Sequence, residues 1–286
     1  MGLTFDDVRT LVEWRGRGAR FERVLTLGRQ SFSLSTAEFA RLGIACPRGH
    51  QPGDYFDEFY ADVLGARELM ALDHSAFEGA RLQHDLNDEL PSELSGQFDL
   101  VIDGGTLEHV FNVPVALASC MRALAVGGRF FGVNPANNLM GHGFYQFGPE
   151  LYYRTFSAEN GFQLELIELQ ESRYPSVELA FSRKRYTVTD PQRVGRRVQL
   201  VSPRPAVLRV IALKVDEREP FATWPQQSDY VTRWSESETA GAQRHVRSSI
   251  RAWVRAVLPR RVRAHVEGWR QLRTASLSNR GFFRHH

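Results

Sequence analysis

The sequence predicts an α/β protein with a mostly parallel, doubly wound sheet, and three observations carry that expectation. Short apolar runs alternate with helix-periodic segments along most of the chain, as in βαβ units. The run Phe98-Asp99-Leu100-Val101-Ile102-Asp103 is nearly continuous apolar sequence between acids, which fits a strand covered on both faces. Gly28, Asp73, Asp85 and Asp103 end or follow the expected strands, and open α/β sheets bind ligands at those carboxyl ends.

Taken in order, the chain opens with a helical stretch at 5–15 and a buried strand at 23–28 that stops on glycine. A helix is expected at 35–42, then a Pro/Gly-rich loop at 46–53, then helical periodicity over 54–65 with Gly65 as its stop. Apolar runs at 68–73, 80–86 and 98–103 read as strands. Asn112 is a candidate cap for a helix with Pro114 in its first turn, where a missing N–H costs little. Leu117, Cys120, Met121 and Leu124 repeat at i, i+3, i+4 and i+7, Gly127-Gly128 is expected to end the helix, and a strand follows at 129–134. Two further strands fall at 162–169 and 206–215. The segment between them, 170–205, reads as irregular, which allows an antiparallel pair at one edge.

With 286 residues, 42% of them hydrophobic, the chain can bury a core in one large domain plus appendages. No run of 18 apolar residues is present to span a bilayer. The N-terminus lacks a secretory apolar stretch, and Asp6 stands where a myristoylation motif needs Ser or Thr. Two separated cysteines, Cys46 and Cys120, suit neither a disulfide framework nor a zinc site, so a reducing cytosol and no metal are expected. Charge is unevenly spread. From Ala240 onward there are eleven arginines, no lysine and one acid, Glu267, so that residues 1–239 are net negative. Such a tail suggests an anionic partner.

The acids at the strand ends suit a nucleoside. An ionised Asp after the second strand can accept both ribose hydroxyls, and one after the next strand, Asp85, can receive an adenine amino group. Singly, each is more ordinary as a loop-capping Asp. Together these residues bring the chain to a known pattern. VLTLG (24–28), MALD (70–73), HDLN (84–87), FDLVIDGGTLEHV (98–110) and MRALAVGGRFFGVNP (121–135) resemble class I S-adenosylmethionine-dependent methyltransferases, over residues 20–215. YFDEFYADVLGA, ALDHSAFEGARLQHDLND and NNLMGHGFYQFGPELYYRTF resemble a bacterial subgroup associated with polysaccharide and other glycan gene sets.

The resemblance implies a seven-stranded Rossmann-like sheet over 21–216, preceded by a helical segment at 1–20 and followed by a linker and basic helical tail at 217–286. It implies S-adenosylmethionine as cofactor, with Asp73 on the ribose, Asp85 and Leu86 at the adenine, and Gly28, Asp103 and Gly104 lining the methionine end. One departure stands out: the turn after the first strand, Gly28-Arg29-Gln30-Ser31-Phe32, has a single glycine where such enzymes carry several. Backbone N–H groups there can still bind a carboxylate, with Arg29 as its ion-pair partner.

Methyl transfer to a hydroxyl needs alignment and a proton acceptor. Glu108 and His109 follow the fourth strand, and a polar, aromatic loop follows the fifth. His142 is the side chain in that loop whose ordinary pKa suits base work near neutrality. Tyr145 and Gln146 can hydrogen-bond a hydroxylated substrate, while Phe144 and Phe147 offer it an apolar face. Structural roles compete: His109 as a cofactor neighbour, His142 as a loop-stabilising donor. Glu150, Tyr152 and Tyr153 belong to a following helix, with no catalytic role assigned.

In the tail, 244–273, Val246, Ile250, Trp253, Val257 and Val266 fall near helical spacing among arginines, and Pro259 interrupts them. Such a helix can lie on an anionic membrane surface or dock on the domain; nucleic acid is the weaker partner, since no RNA-recognition motif is present. The function expected is O-methylation of a sugar or glycan-related hydroxyl. A non-catalytic binding or scaffold protein of the same fold, or a nucleic-acid methyltransferase, are the alternatives.

Overall fold

The computed structural model describes residues 2–76, 78–171, 184–240 and 260–286. Its centre is one sheet. β1 (Arg23–Leu27), β2 (Glu68–Asp73), β3 (Leu82–Gln83), β4 (Phe98–Asp103) and β5 (Leu124–Asn137) run parallel. β6 (Phe162–Glu171) and β8 (Ala206–Lys214) follow, with β8 antiparallel both to β5 and to β6, between which it is inserted. The strand order is therefore β3-β2-β1-β4-β5-β8-β6, continued by β7 (Arg185–Val188) and β9 (Phe283–His285).

Among the described residues the sheet has nine strands, where seven were expected. The open edge of β6 is what made room: its backbone groups pair with β7, from the segment read as irregular, and β7 in turn pairs with β9. An unpaired edge would leave a row of donors and acceptors exposed. The last residues of the arginine-rich tail are thus part of the sheet rather than helix.

Each face of the sheet is covered. Leu25, Leu27 and Val101 point into one core with α4 (Val113–Ala123) and α5 (Pro149–Thr155). Val24, Leu100 and Ile102 point into the other, against α1 (Phe5–Gly16), α2 (Thr36–Leu42) and α3 (Glu58–Asp62). That two-sided burial is why the strands read as continuous apolar runs. α2 begins on a Ser35–Glu38 capping box and ends on Gly43 in the left-handed region. α3 is shorter than its 54–65 pattern, because Phe56, Phe59 and Tyr60 pack edge-on around Phe32 rather than along a longer helix.

Two local expectations are corrected. Asn112 makes no capping bond to α4; its carboxamide donates to Asn87 O at 3.0 Å, and its N–H to Asn87 Oδ1 at 2.8 Å. α4 ends at Ala123 without a glycine stop, and Gly127 and Gly128 lie inside β5. A Cβ on Gly128 would come within 2.8 Å of Phe98 O, so glycine there allows β5 to approach β4.

Beyond β7 come the short α6 (Pro191–Val194), α7 (Ser228–Ala240) and α8 (Arg260–Thr274). α8 exposes Val262, Val266, Trp269 and Leu272 among arginines. Val246, Ile250, Trp253, Val257 and Pro259 lie outside the described residues. No described helix is long and apolar enough to cross a membrane.

Candidate functional site

The sheet reverses its order between β1 and β4, and a cavity of about 330 Å³ opens at the carboxyl ends beside that reversal. Gly28, Asp73, Asp85 and Leu86 all line it, with Leu72, His74, His84, Asn87, Thr106, His109 and Val110. The ends of β1 and β2 and the turns after β3 and β4 thus converge there.

Both cavity acids are braced by their own loops. Asp73 Oδ1 accepts the Ser75 N–H at 3.0 Å. Asp85 Oδ1 accepts the backbone N–H of Asn87 at 2.9 Å and its side-chain amide at 2.8 Å. Those two bonds, with the nearby His74 and His84, hold the Asp85 carboxyl below its usual range. Gly28 has a φ of +71°, and a Cβ added there would stand 3.7 Å from Asp73 Oδ2 and 3.5 Å from Thr106 Oγ1. Glycine therefore serves both the turn and the space in front of the carboxylate.

Three of the residues expected at the methionine end stand elsewhere. Arg29 pairs with Asp57 at 2.8 Å, lies 4.2 Å over the Tyr55 ring, and lines a different cavity with Asp57 and Arg81. Asp103 is fully buried and is not among the residues that line the cavity. Its Oδ1 accepts N–H groups of Gly105, Thr106 and Leu107 at 3.3, 2.7 and 3.2 Å, closing the turn after β4. Gly104 faces the side chain of Gln30: a Cβ there would lie 1.9 Å from Gln30 Oε1. Gln30 itself is buried and donates to Leu27 O at 2.7 Å. An amide side chain thus stands where a glycine-rich turn would have left backbone.

The donor set of the cavity fits one half of the implied cofactor. Two carboxylates and a buried leucine match the hydroxyls, amine and ring of a nucleoside. The fit weakens toward Gly104, where Gln30 closes the space.

Beyond the cavity rim lies a second constellation. Asn134, buried in β5, donates to Asp103 Oδ2 at 2.6 Å and to Glu108 Oε2 at 3.0 Å, and accepts the hydroxyl of Tyr152. Glu108 Oε1 is buried and accepts no hydrogen bond. It stands 3.5 Å from His142 Nε2 and 4.0 Å from His109 Nε2, and the two imidazole centres are 5.3 Å apart. Burial, reinforced by the charge of Asp103, pushes the Glu108 carboxyl up to about 7. Burial also raises Asp103 and lowers His109.

The loop that carries His142 is pinned to this centre. Phe144 and Tyr145 donate their N–H groups to Glu108 O at 2.8 and 3.2 Å, and a Cβ on Gly143 would come within 2.7 Å of that oxygen. Tyr145 donates its hydroxyl to Phe111 O at 2.8 Å, and Gln146 Oε1 accepts from Leu139 N at 2.9 Å, so both brace the loop. Phe147 is buried, stacked with Tyr145 and packed on Tyr152, and offers no face to a ligand; Phe144 is exposed against Phe111. Asn134 and Tyr152 were not expected in this centre. A buried polar residue inside β5 was the available signal, but its partners come from other elements.

No family model matches the chain, and no curated protein matches it. Solved structures similar to this chain include methyltransferases. One is the Burkholderia thailandensis 1,6-didemethyltoxoflavin-N1-methyltransferase with bound 1,6-didemethyltoxoflavin and S-adenosylhomocysteine, 17% identical over 73% of this chain and 78% of that one, with a TM-score of 0.39. A TehB-like SAM-dependent methyltransferase from Corynebacterium glutamicum is 18% identical over 72% and 86%, with a TM-score of 0.36. The T. thermophilus 16S rRNA N2 G1207 methyltransferase, in complex with AdoMet and guanosine, is 17% identical over 74% and 40%, with a TM-score of 0.34.

Proposed function

We propose that the protein is an S-adenosylmethionine-dependent methyltransferase acting on a hydroxyl of a sugar or glycan-related acceptor, in the cytoplasm. The observation that carries this reading is the meeting of Asp73, Asp85 and Leu86 in one cavity at the sheet's reversal, with His109 on the rim that leads to Glu108 and His142. When bound, the cofactor would supply an electrophilic methyl group. Asp73 would accept from the ribose hydroxyls, Asp85 from the adenine amine, and Leu86 would cover the ring.

Proton removal from the acceptor falls to the centre beyond the rim. His142 takes the proton, and Glu108, at 3.5 Å, stabilises the imidazolium that results. Asn134 holds Glu108 in register, and the backbone bonds to Glu108 O hold the loop. A hydroxyl acceptor is favoured over an amine because the centre is built to take a proton from a weak acid. The basic α8, with exposed Val266 and Trp269, supports an acceptor presented at an anionic membrane surface.

Gln30 against Gly104 favours a second reading, a partner-binding protein on the same fold without catalysis. Calorimetric titration with S-adenosylmethionine and S-adenosylhomocysteine, beside Asp73→Ala, decides between them. Micromolar binding lost in the variant is expected; no binding by folded wild type overturns the enzyme reading.

A further inference from the structure

The Glu108 centre has a second chemical capacity, because its three donors approach one another as ligands do. Glu108 Oε1 is 3.5 Å from His142 Nε2 and 4.0 Å from His109 Nε2, and the three ligand atoms all fall within 4.8 Å of one another. Around a tetrahedral zinc ion, with bonds of about 2.0–2.1 Å, neighbouring ligand atoms lie about 3.3 Å apart. A small inward movement would therefore close these donors on an ion.

The parts differ in stiffness in the way such a site needs. Glu108 is fixed, with its side chain wholly buried, Oε2 held by Asn134 at 3.0 Å, and its backbone oxygen tied to the loop. Its Oε1 is the buried atom that accepts no hydrogen bond. The imidazoles are partly exposed, 48% for His109 and 31% for His142, so they have room to adjust. Outer partners that orient a ligating carboxylate are a regular part of metal sites.

We infer that Glu108, His109 and His142 bind a divalent transition-metal ion of the zinc type, leaving a coordination position open for an acceptor oxygen. Two imidazoles and one carboxylate suit zinc, cobalt or iron and disfavour magnesium. Three protein ligands leave the site open, as catalytic rather than structural ions require. Metal binding stands without the methyl-transfer reading; the ion's action on an acceptor rests on it. A coordinated hydroxyl is acidified, and its proton passes to bulk water. In the loaded protein His142 holds the ion, so activation of the acceptor passes from the imidazole to the metal.

The test is a Co²⁺ titration of the full-length chain, followed by visible absorption, with Zn²⁺ and Mg²⁺ as competitors. Expected are stoichiometric binding, displacement by Zn²⁺ but not by excess Mg²⁺, and loss of the bands in Glu108→Gln and in His142→Ala. Both variants should keep the S-adenosylhomocysteine affinity of the wild type, while Asp73→Ala should lose that affinity and keep Co²⁺. Removing the C-terminal pair in His285→Ala/His286→Ala should leave the bands unchanged. No stoichiometric Co²⁺ binding by the wild type overturns the inference. So does binding that survives in both Glu108→Gln and His142→Ala, or that disappears only with the C-terminal pair. Cobalt binding without nucleoside binding supports the metal site and removes the methyl-transfer reading alone.

Discussion

Asn134 donates to Glu108 Oε2 at 3.0 Å from inside the fifth strand, and that bond fixes the carboxylate on which both histidines converge. Its own carbonyl oxygen accepts the hydroxyl of Tyr152, which is wholly buried. Tyr152→Phe keeps the ring but leaves that oxygen without its donor, at a cost of about 1–3 kcal/mol. A lowered thermal midpoint with unchanged S-adenosylhomocysteine affinity is expected, because Tyr152 does not line the cavity.

His142→Ala removes the imidazole beside Glu108 without touching the cavity lined by Asp73 and Asp85. Turnover should fall by roughly 10²–10⁴-fold, the usual worth of a positioned acid or base. Calorimetry should record the same nucleoside affinity as for the wild type. Turnover within about threefold of wild type would remove His142 from the mechanism.

Asp7 joins the two ends of the domain. Arg209 Nε in β8 donates to Asp7 Oδ1 at 2.8 Å, and Asp7 Oδ2 accepts from the Thr4 N–H at 2.7 Å and hydroxyl at 2.6 Å. Arg209 is buried, with Glu168 as its other ion-pair partner at 2.6 Å. Breaking one partner of such a pair strands a buried charge, so Asp7→Asn should destabilise by about 3–5 kcal/mol. Urea unfolding measures it; a midpoint equal to wild type would mean that Arg209 and Glu168 suffice.

Acid should loosen the contact between α1 and β6. Burial pushes the Glu165 carboxyl up, but bonds from Arg129 at 2.8 and 3.0 Å and from Trp14 Nε1 at 2.8 Å outweigh it and hold it below its ordinary value. A carboxyl lowered by folding stabilises fully above its unfolded pKa, and that contribution is lost as pH falls through the folded value. Glu165→Gln should therefore be less stable than wild type at neutral pH and converge with it in acid. Urea unfolding of both proteins at several pH values, followed by circular dichroism, reads the difference.

Much of the fold was legible because burial on both faces writes itself into strands as uninterrupted apolar runs, of which Phe98–Asp103 is the plainest. The helix expected at 35–42 formed, and the Ser35–Glu38 capping box and Gly43 that the structure puts at its ends are local chemistry. Asn112 misled for the same reason inverted. Its cap-like position was visible, but the competing partner, Asn87, comes from another loop. Phe147 looked like a ligand platform until packing with Tyr145 and Tyr152 enclosed it.

By itself, the sequence determined the alternation of strands and helices, the glycine at 28, and the positions of Asp73, Asp85, Glu108 and His142 at strand ends and loops. These follow from periodicity and local turn chemistry, which act over a few residues. Only the tertiary structure decided that Asp103 faces inward, that Arg29 belongs to Asp57, that Gln30 lies on Gly104, and that β7 and β9 extend the sheet. It also brought Glu108, Asn134 and Tyr152 into one buried network, with His142 beside it. Those pairings depend on which distant groups compete for one donor or acceptor once water is excluded, and no local pattern encodes that competition.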